Sequence, residues 1–351
     1  MNSLASCAAA ALVLSLALPV QAQDRAERVA KMLSHVPLGA VDADRTFELQ
    51  YGDPQAGLPV LLLATGDPET ATLFSAGRGL PTGIAQNLVI IAQASTDLVG
   101  FDLTQSLESA SVTQPPALMT LYRLDRGAAA RVGPALDALG YDRVIRFGVP
   151  VWARGEDNEV DIAARDPANP FGGALGRPGR VAVADDLVAW SPAWGPIIGV
   201  TAGAAGMDTH PQIAALIAAL DRPEAGSGTL IAAHFMIGAA DNVGSPAVMI
   251  TDMVDGAQDV SLLALVVPPG RDPEALRRTI ERNWDSRVLP GMRSTMADLL
   301  RSGPDLRLVA GEVPVLLIRV TIPRDSAAVN GAFQRAITLV YGADLGALLS
   351  D

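Results

Sequence analysis

Three histidines, His35, His210 and His234, are the chain's entire supply of imidazole, so a triad or a nitrogen-ligated metal must draw on them. Asp208-x-His210, with His234 on a neighbouring predicted strand, is the best set they offer for acid-base chemistry or zinc ligation. A structural explanation covers the same residues. His210 then sits in the first turn of a capped helix with Asp208 beside its positive end, and His234 occupies one face of a strand over 230–237. Scattered histidines without tight spacing rarely coordinate, so no metal site, cofactor site or catalytic residue is assigned. There is no Gly-x-Ser-x-Gly elbow, His-Glu-x-x-His, Walker A or EF-hand spacing. Triads are defined by geometry, so this lowers the case for an enzyme without closing it.

Other residue groups invite weaker readings. Gly172, Gly173, Gly176 and Gly179, with Arg177 and Arg180 close by, form an anion-binding nest if their backbone N–H groups converge; an ordered loop leading into a hairpin explains the same glycines. Gly77-Arg78-Gly79 with Gly83 lacks the spacing of a dinucleotide loop, and Pro81 interrupts it. Trp190 and Trp194 flank Ser191-Pro192-Ala193 and read as core edge or as an interaction patch. The acidic run Glu156, Asp157, Glu159, Asp161 and Asp166 has no ligand spacing and reads as a solvated loop. Arginines 271, 277, 278, 282, 287 and 293 are interleaved with Asp272, Glu274, Glu281 and Asp285, too balanced for a nucleic-acid footprint.

Composition narrows the field further. The chain has 38 acidic and 26 basic residues, a formal net charge of -12, which argues against nucleic acid as a partner. Lys31 is the single lysine, so P-loop and Schiff-base chemistry have almost nowhere to sit. Residues 1–22 carry no charged side chain and place an apolar run, Ala8 to Leu18, ahead of Val20-Gln21-Ala22. That is the pattern of a secretory signal peptide cleaved after Ala22. Cys7, the one cysteine, lies inside it, leaving a cysteine-free mature chain without disulfides or thiolate chemistry. The expected product is acidic, soluble, and periplasmic or secreted, with no transmembrane segment after cleavage.

The elements that must position any site are legible from about Pro116 onward. Ala117 to Leu124 reads as a strand, and Asp125 caps a helix with Ala128, Val132, Leu136 and Leu139 at helical spacing until Gly140. Arg143 to Arg154 reads as strand interrupted at Gly148 and Pro150, 157–179 as a long loop, and Arg180 to Trp190 as a hairpin about Asp185-Asp186. A helix over Thr209 to Asp221 opens on a capping box of Thr209 and Gln212. Strands follow at 229–237, 247–254 and 260–267, a helix from Asp272 to about Trp284, and a last helix from about Ser326 to Tyr341. Residues 35–116 are hard to read: the apolar runs at 58–64 and 88–92 fit strands or short helices equally well.

The Pro/Gly/Ser-rich segment 222–228 divides the mature chain into 23–224 and 225–351. Gly127 to Gly140, followed by Arg143 and Pro150, matches Gly291 to Gly303, followed by Arg307 and Pro314, at an offset of 164, the mark of a duplication. The expectation is α+β: two related domains of antiparallel or mixed sheet with helices packed on one face. Gly100-Phe101-Asp102, Ala135-Leu136, Gly140-Tyr141, Trp152 and the run Asn169 to Gly176 resemble a family of exported bacterial proteins with no assigned activity, over about Arg25 to Trp190. The resemblance implies export and a shared fold, and supplies no catalytic residues. The expected function is a non-catalytic binding or envelope-associated module whose partner is a ligand or an envelope protein. The alternative is a hydrolase with an inter-domain Asp-His site; a third reading is an interaction surface at an exposed sheet edge near Trp190 and Trp194.

Overall fold

The computed structural model describes residues 24–177, 179–238, 244–300, 303–342 and 344–350. The expected leader, residues 1–22 with Cys7, lies outside them. Among the described residues no helix is long and apolar enough to cross a membrane.

The fold is α+β, built on one antiparallel sheet of twelve strands. In chain order these are β1 (Phe47–Gly52), β2 (Glu108–Gln114), β3 (Ala117–Arg123), β4 (Asp142–Arg146), β5 (Val149–Arg154), β6 (Gly179–Ala184), β7 (Leu187–Ser191), β8 (Thr229–Ile237), β9 (Ala247–Asp255), β10 (Gln258–Val266), β11 (Leu306–Val309) and β12 (Val315–Pro323). They lie side by side as β11-β12-β10-β9-β8-β1-β2-β3-β7-β6-β5-β4. β1 pairs with β2 on one side and with β8 on the other. The 222–228 segment is therefore a crossover along the chain and not a gap between two sheets. Linker-like composition reports local backbone preference and says nothing about which strands pair across it. The residues matched at an offset of 164 fall on the two outermost hairpins: Arg143 and Pro150 on β4 and β5, Arg307 on β11 and Pro314 directly before β12.

Helices cover both faces, correcting the expectation of one. Along β10, Val260, Leu262, Ala264 and Val266 point to one face and Leu263 and Leu265 to the other, the period-two alternation of a strand buried on both sides. On the first face lie α1 (Arg25–Leu33), α7 (Trp194–Thr201) and α8 (Pro211–Ala219), whose Val29, Ile197 and Leu216 pack on Leu49, Leu121 and Met249. The opposite face carries two layers side by side. α2 (Leu58–Thr65), α3 (Pro68–Gly79), α4 (Thr82–Ala85), α5 (Leu88–Val99) and α6 (Arg126–Ala138) form the amino-terminal layer, and α9 (Pro273–Ser286), α10 (Met296–Leu300), α11 (Gly331–Tyr341) and α12 (Asp344–Leu349) the carboxy-terminal one. Asp125, Asp272 and Asn330 accept from Ala128, Glu274 and Phe333 N–H at 2.9, 3.1 and 2.9 Å, caps typically worth about 1 kcal/mol each. α8 departs from its expected cap. It begins at Pro211 with His210 at the N-cap position, and the Thr209 hydroxyl turns back to donate to the Gly206 carbonyl at 2.7 Å.

A buried ion pair joins the two layers. Arg78 of α3 donates through Nε to Asp252 Oδ2 of β9 at 3.0 Å, and Asn330, at the start of α11, donates to Asp252 Oδ1 at 2.8 Å. Arg78 and Asp252 are both almost fully shielded from solvent. Asp252 takes Nε and Nη2 of Arg78 in the protein interior, which removes the Gly77-Arg78-Gly79 segment from consideration as a phosphate loop.

Candidate functional site

Strand register builds a continuous row of side chains across the middle of the sheet. His234 stands opposite Gln50, Gln50 opposite Ser111, Ser111 opposite Thr120, and Thr120 opposite Trp190. Directly opposed residues keep their Cβ atoms about 4.5–5.5 Å apart on one face. Four of the five, all but His234, floor a cavity of about 330 Å³ beneath the amino-terminal layer, joined by Thr113 and Leu118 from the next row. That volume is at the small end of the roughly 300–1,000 Å³ typical of small-molecule sites.

Two segments wall the cavity. One is the α4–α5 region, contributing Thr82, Ile84, Asn87 and Ile91. Its position is set by Gln50, whose Oε1 accepts from Thr82 N–H at 3.0 Å. The other is the long loop before β6, contributing Pro167, Asn169, Pro170, Gly172, Gly173 and Arg177. Gly172 has φ +75°, and a Cβ there would lie 2.4 Å from the Trp190 ring; only glycine lets this loop close over the indole.

The cavity's polar character is one-sided. None of its lining residues is His, Asp, Glu, Lys or Cys, and Arg177 is the one that carries a charge. Arg177 Nε and Trp190 Nε1 are buried without a hydrogen-bond partner. Both are donors that cannot accept. Ser111, Thr113 and Thr120 add hydroxyls that can do either, while Ile84, Ile91 and Leu118 supply apolar surface.

The glycine-rich run is the ordered loop leading into a hairpin, and no open anion-binding nest. Gly173 N–H donates to Asn169 O, Gly176 N–H to Gly173 O and Arg177 N–H to Gly172 O, so those backbone donors are consumed within the loop. Arg180 is held through its two Nη groups, with Nε buried and unpartnered. It donates to the carbonyls of Gly155, Glu156 and Pro192 at 2.8, 3.2 and 3.1 Å and pairs with Asp157 at 2.9 Å. Trp190 belongs to the cavity face and Trp194 packs against the opposite core, with Arg146 and Arg180 on its ring at 5.0 and 5.3 Å. They form no common patch. In the acidic run, Asp161 and Asp166 accept from Ala163 and Ala168 N–H as turn caps. Among the described residues no cluster of His, Cys, Asp and Glu could hold a metal ion.

The histidines do not converge. His210 meets Phe47 edge-on at 6.2 Å on the α8 face, whereas His234 meets Phe333 at 5.0 Å under α11 on the other. Burial lowers both, and pushes His234 down to about 4 although Asp252 nearby favours its charged form. His35 is exposed near the end of α1. A second charged cluster lies at one end of the central strands: Arg28 contacts Asp53 and Tyr51, the Tyr51 hydroxyl donates to Glu108 Oε1 at 2.8 Å, and Arg123 Nε donates to Glu108 Oε2 at 2.6 Å. Burial raises Asp53 against the pull of Arg28. Each of these groups is partnered within the cluster, which ties α1 to β1, β2 and β3.

Gln50, Ser111, Thr113 and Thr120 carried no local sequence signal. Only strand register, which pairs residues as remote in the chain as Gln50 and His234, sets them in line.

No protein-family model matches the chain, and no curated protein does. Among solved structures, crystal form I of TP0453 aligns with a TM-score of 0.41 at 10% identity, over 90% of this chain and 98% of that one. Crystal form III of TP0453 aligns with a TM-score of 0.35 at 9% identity, over 85% and 97%.

Proposed function

We propose that the protein is an exported, non-catalytic module that binds a small molecule in the cavity above β1, β2, β3 and β7. The observation that carries this reading is a cavity of about 330 Å³ floored by Gln50 and the hydroxyl-bearing Ser111, Thr113 and Thr120, with Arg177 on its wall and no general base among its described lining residues. A serine or threonine nucleophile needs an adjacent base to be activated. Here the hydroxyls of Ser111, Thr113 and Thr120 have none, so the arrangement can orient a ligand and cannot readily transform it. The hydrolase alternative loses its residues too, since Asp208 and His210 lie on the face opposite His234. Export rests on the pattern of residues 1–22 and the resemblance over Arg25 to Trp190.

Native mass spectrometry of protein taken from its own envelope fraction tests the reading. The expected result is a mass excess that disappears on denaturation and is absent from a Ser111→Phe variant, whose added ring fills the floor. An equal mass excess over the denatured chain in both proteins, or none in either, would remove the cavity as the functional site.

A further inference from the structure

The hydroxyls on the cavity floor specify the kind of ligand. Ala110, Val112, Met119 and Leu121 belong to the core under α1, α7 and α8, so Ser111 and Thr120, which alternate with them along β2 and β3, face the amino-terminal layer and the cavity. Both residues are 5% exposed, and neither hydroxyl bonds to any described residue. Each oxygen nonetheless keeps accessible surface, unlike the fully enclosed Nε of Arg177 and Nε1 of Trp190, and that surface opens on the cavity they floor. Two residues earlier on the same face of β2, Ser109 donates to the Gly79 carbonyl at the end of α3 at 2.9 Å. The helical cover thus satisfies Ser109 and stops before Ser111. Gln50 completes the row: its Oε1 accepts from Thr82, and its N–H donors stay free. Building on the proposal that this cavity binds a small molecule, we infer that the occupant is an uncharged molecule with adjacent hydroxyl groups on an apolar body. A serine or threonine hydroxyl both donates and accepts, and so does an alcohol. Adjacent hydroxyls can therefore bond Ser111 and Thr120 together, whose Cβ atoms stand about 4.5–5.5 Å apart as an opposed pair. A charged head set against neutral hydroxyls keeps much of its desolvation cost. Ile84, Ile91, Leu118 and Pro170 take the apolar body.

1,2-Octanediol serves as the probe, with 1-octanol lacking one hydroxyl and octanoate carrying a charge at the same size. Isothermal titration calorimetry on the full protein gives the affinities, and binding counts where Ser111→Phe abolishes it. The diol is expected to bind at least about threefold more tightly than either of the others. Ser111→Ala and Thr120→Val each remove one hydroxyl, and each is expected to weaken the diol several-fold; either variant reads the proposal alone should the other fold poorly. Ser109→Ala, on the same face of β2 but outside the cavity lining, is expected to leave the diol within about twofold. A diol affinity no greater than that of 1-octanol, or one that neither substitution changes, overturns the hydroxyl assignment and leaves the cavity reading intact. Tighter binding of octanoate than of the diol overturns it in favour of an anion. Failure of all three probes overturns the assignment, whereas the binding reading falls only if the native mass excess is missing too.

Discussion

Two helical layers rest on the same face of the same sheet and close it differently. Under α9–α12 the strands present Val248, Leu263, Leu265, Leu316 and Ile318, and the helices answer with Ile280, Trp284, Leu339 and Leu345 in a continuous apolar core. Under α3–α6 the central strands present Gln50, Ser111, Thr113 and Thr120 instead, and the cover stops short of them. The amino-terminal layer also leaves apolar side chains in solvent: Leu63 is 77% exposed and Val89 57%, while Leu345 and Ile280 are fully buried. Sheet and helix can seal a surface when both faces are apolar. Where the sheet face carries hydroxyls and amides, sealing it would strand polar groups, and the fold leaves room for something that can pair with them.

Substitutions at the seam and on either side of it separate the two layers by size of effect. The largest belongs to the ion pair between them. Asp252→Ala strands the buried Arg78 guanidinium, and urea denaturation is expected to show a loss of about 3–5 kcal/mol; a loss below about 1 kcal/mol would mean the layers are not coupled there. Leu345→Ala, inside the sealed layer, is expected to cost about 2–5 kcal/mol. At the edge of the open layer, Gly172→Ala brings a methyl group against Trp190 at an unfavourable positive φ. It is expected to cost about 1–3 kcal/mol, with Trp190 fluorescence moving toward longer wavelength; unchanged emission and stability would contradict the described closure of the loop.

His234 lies on the boundary row and gives the comparison a pH dependence. The folded state keeps it neutral down to about pH 4, whereas the unfolded imidazole takes up its proton near 6.5. Between those values the unfolded chain binds more protons, so stability falls as pH drops through that window, by at most about 1.4 kcal/mol per pH unit. His234→Gln is expected to flatten that part of the profile, and an unaltered slope would show that other groups produce it. The smallest effect is expected at Leu63→Ser, within about 0.5 kcal/mol in the same denaturation assay. A loss of several kcal/mol there would mean that the open layer is packed as tightly as its neighbour.

The contrast also explains which parts of the fold could be read from sequence. Strands β8, β9 and β10 and helices α6, α8 and α9 were legible because their apolar positions follow strand or helix period and their ends carry Asp, Pro or Gly. α11 begins at Gly331 and not near Ser326 because Asn330 is its cap. Residues 35–116 were opaque for a reason that matters functionally. In β2, Ser109, Ser111 and Thr113 occupy the face where an ordinary core strand would carry apolar residues, and α2 is an apolar run with no polar stripe although Leu62 and Leu63 face solvent. Of the strands that floor the cavity, β2 is one that breaks the periodic pattern. Trp190, Gly172, Gly173 and Arg177 were visible as unusual residues, but their common site was not. It depends on register between strands remote in sequence.

The placement of β1 governs how the polypeptide can mature. Its two neighbours are β2, ending at Gln114, and β8, ending at Ile237. A nascent chain that has exposed only the residues before β8 can pair one side of β1, leaving the other as a free edge flanked by Phe47, Leu49 and Tyr51. Such contacts between distant segments close slowly and leave sticky intermediates. Truncation before the eighth strand is therefore expected to yield aggregates instead of a smaller folded unit.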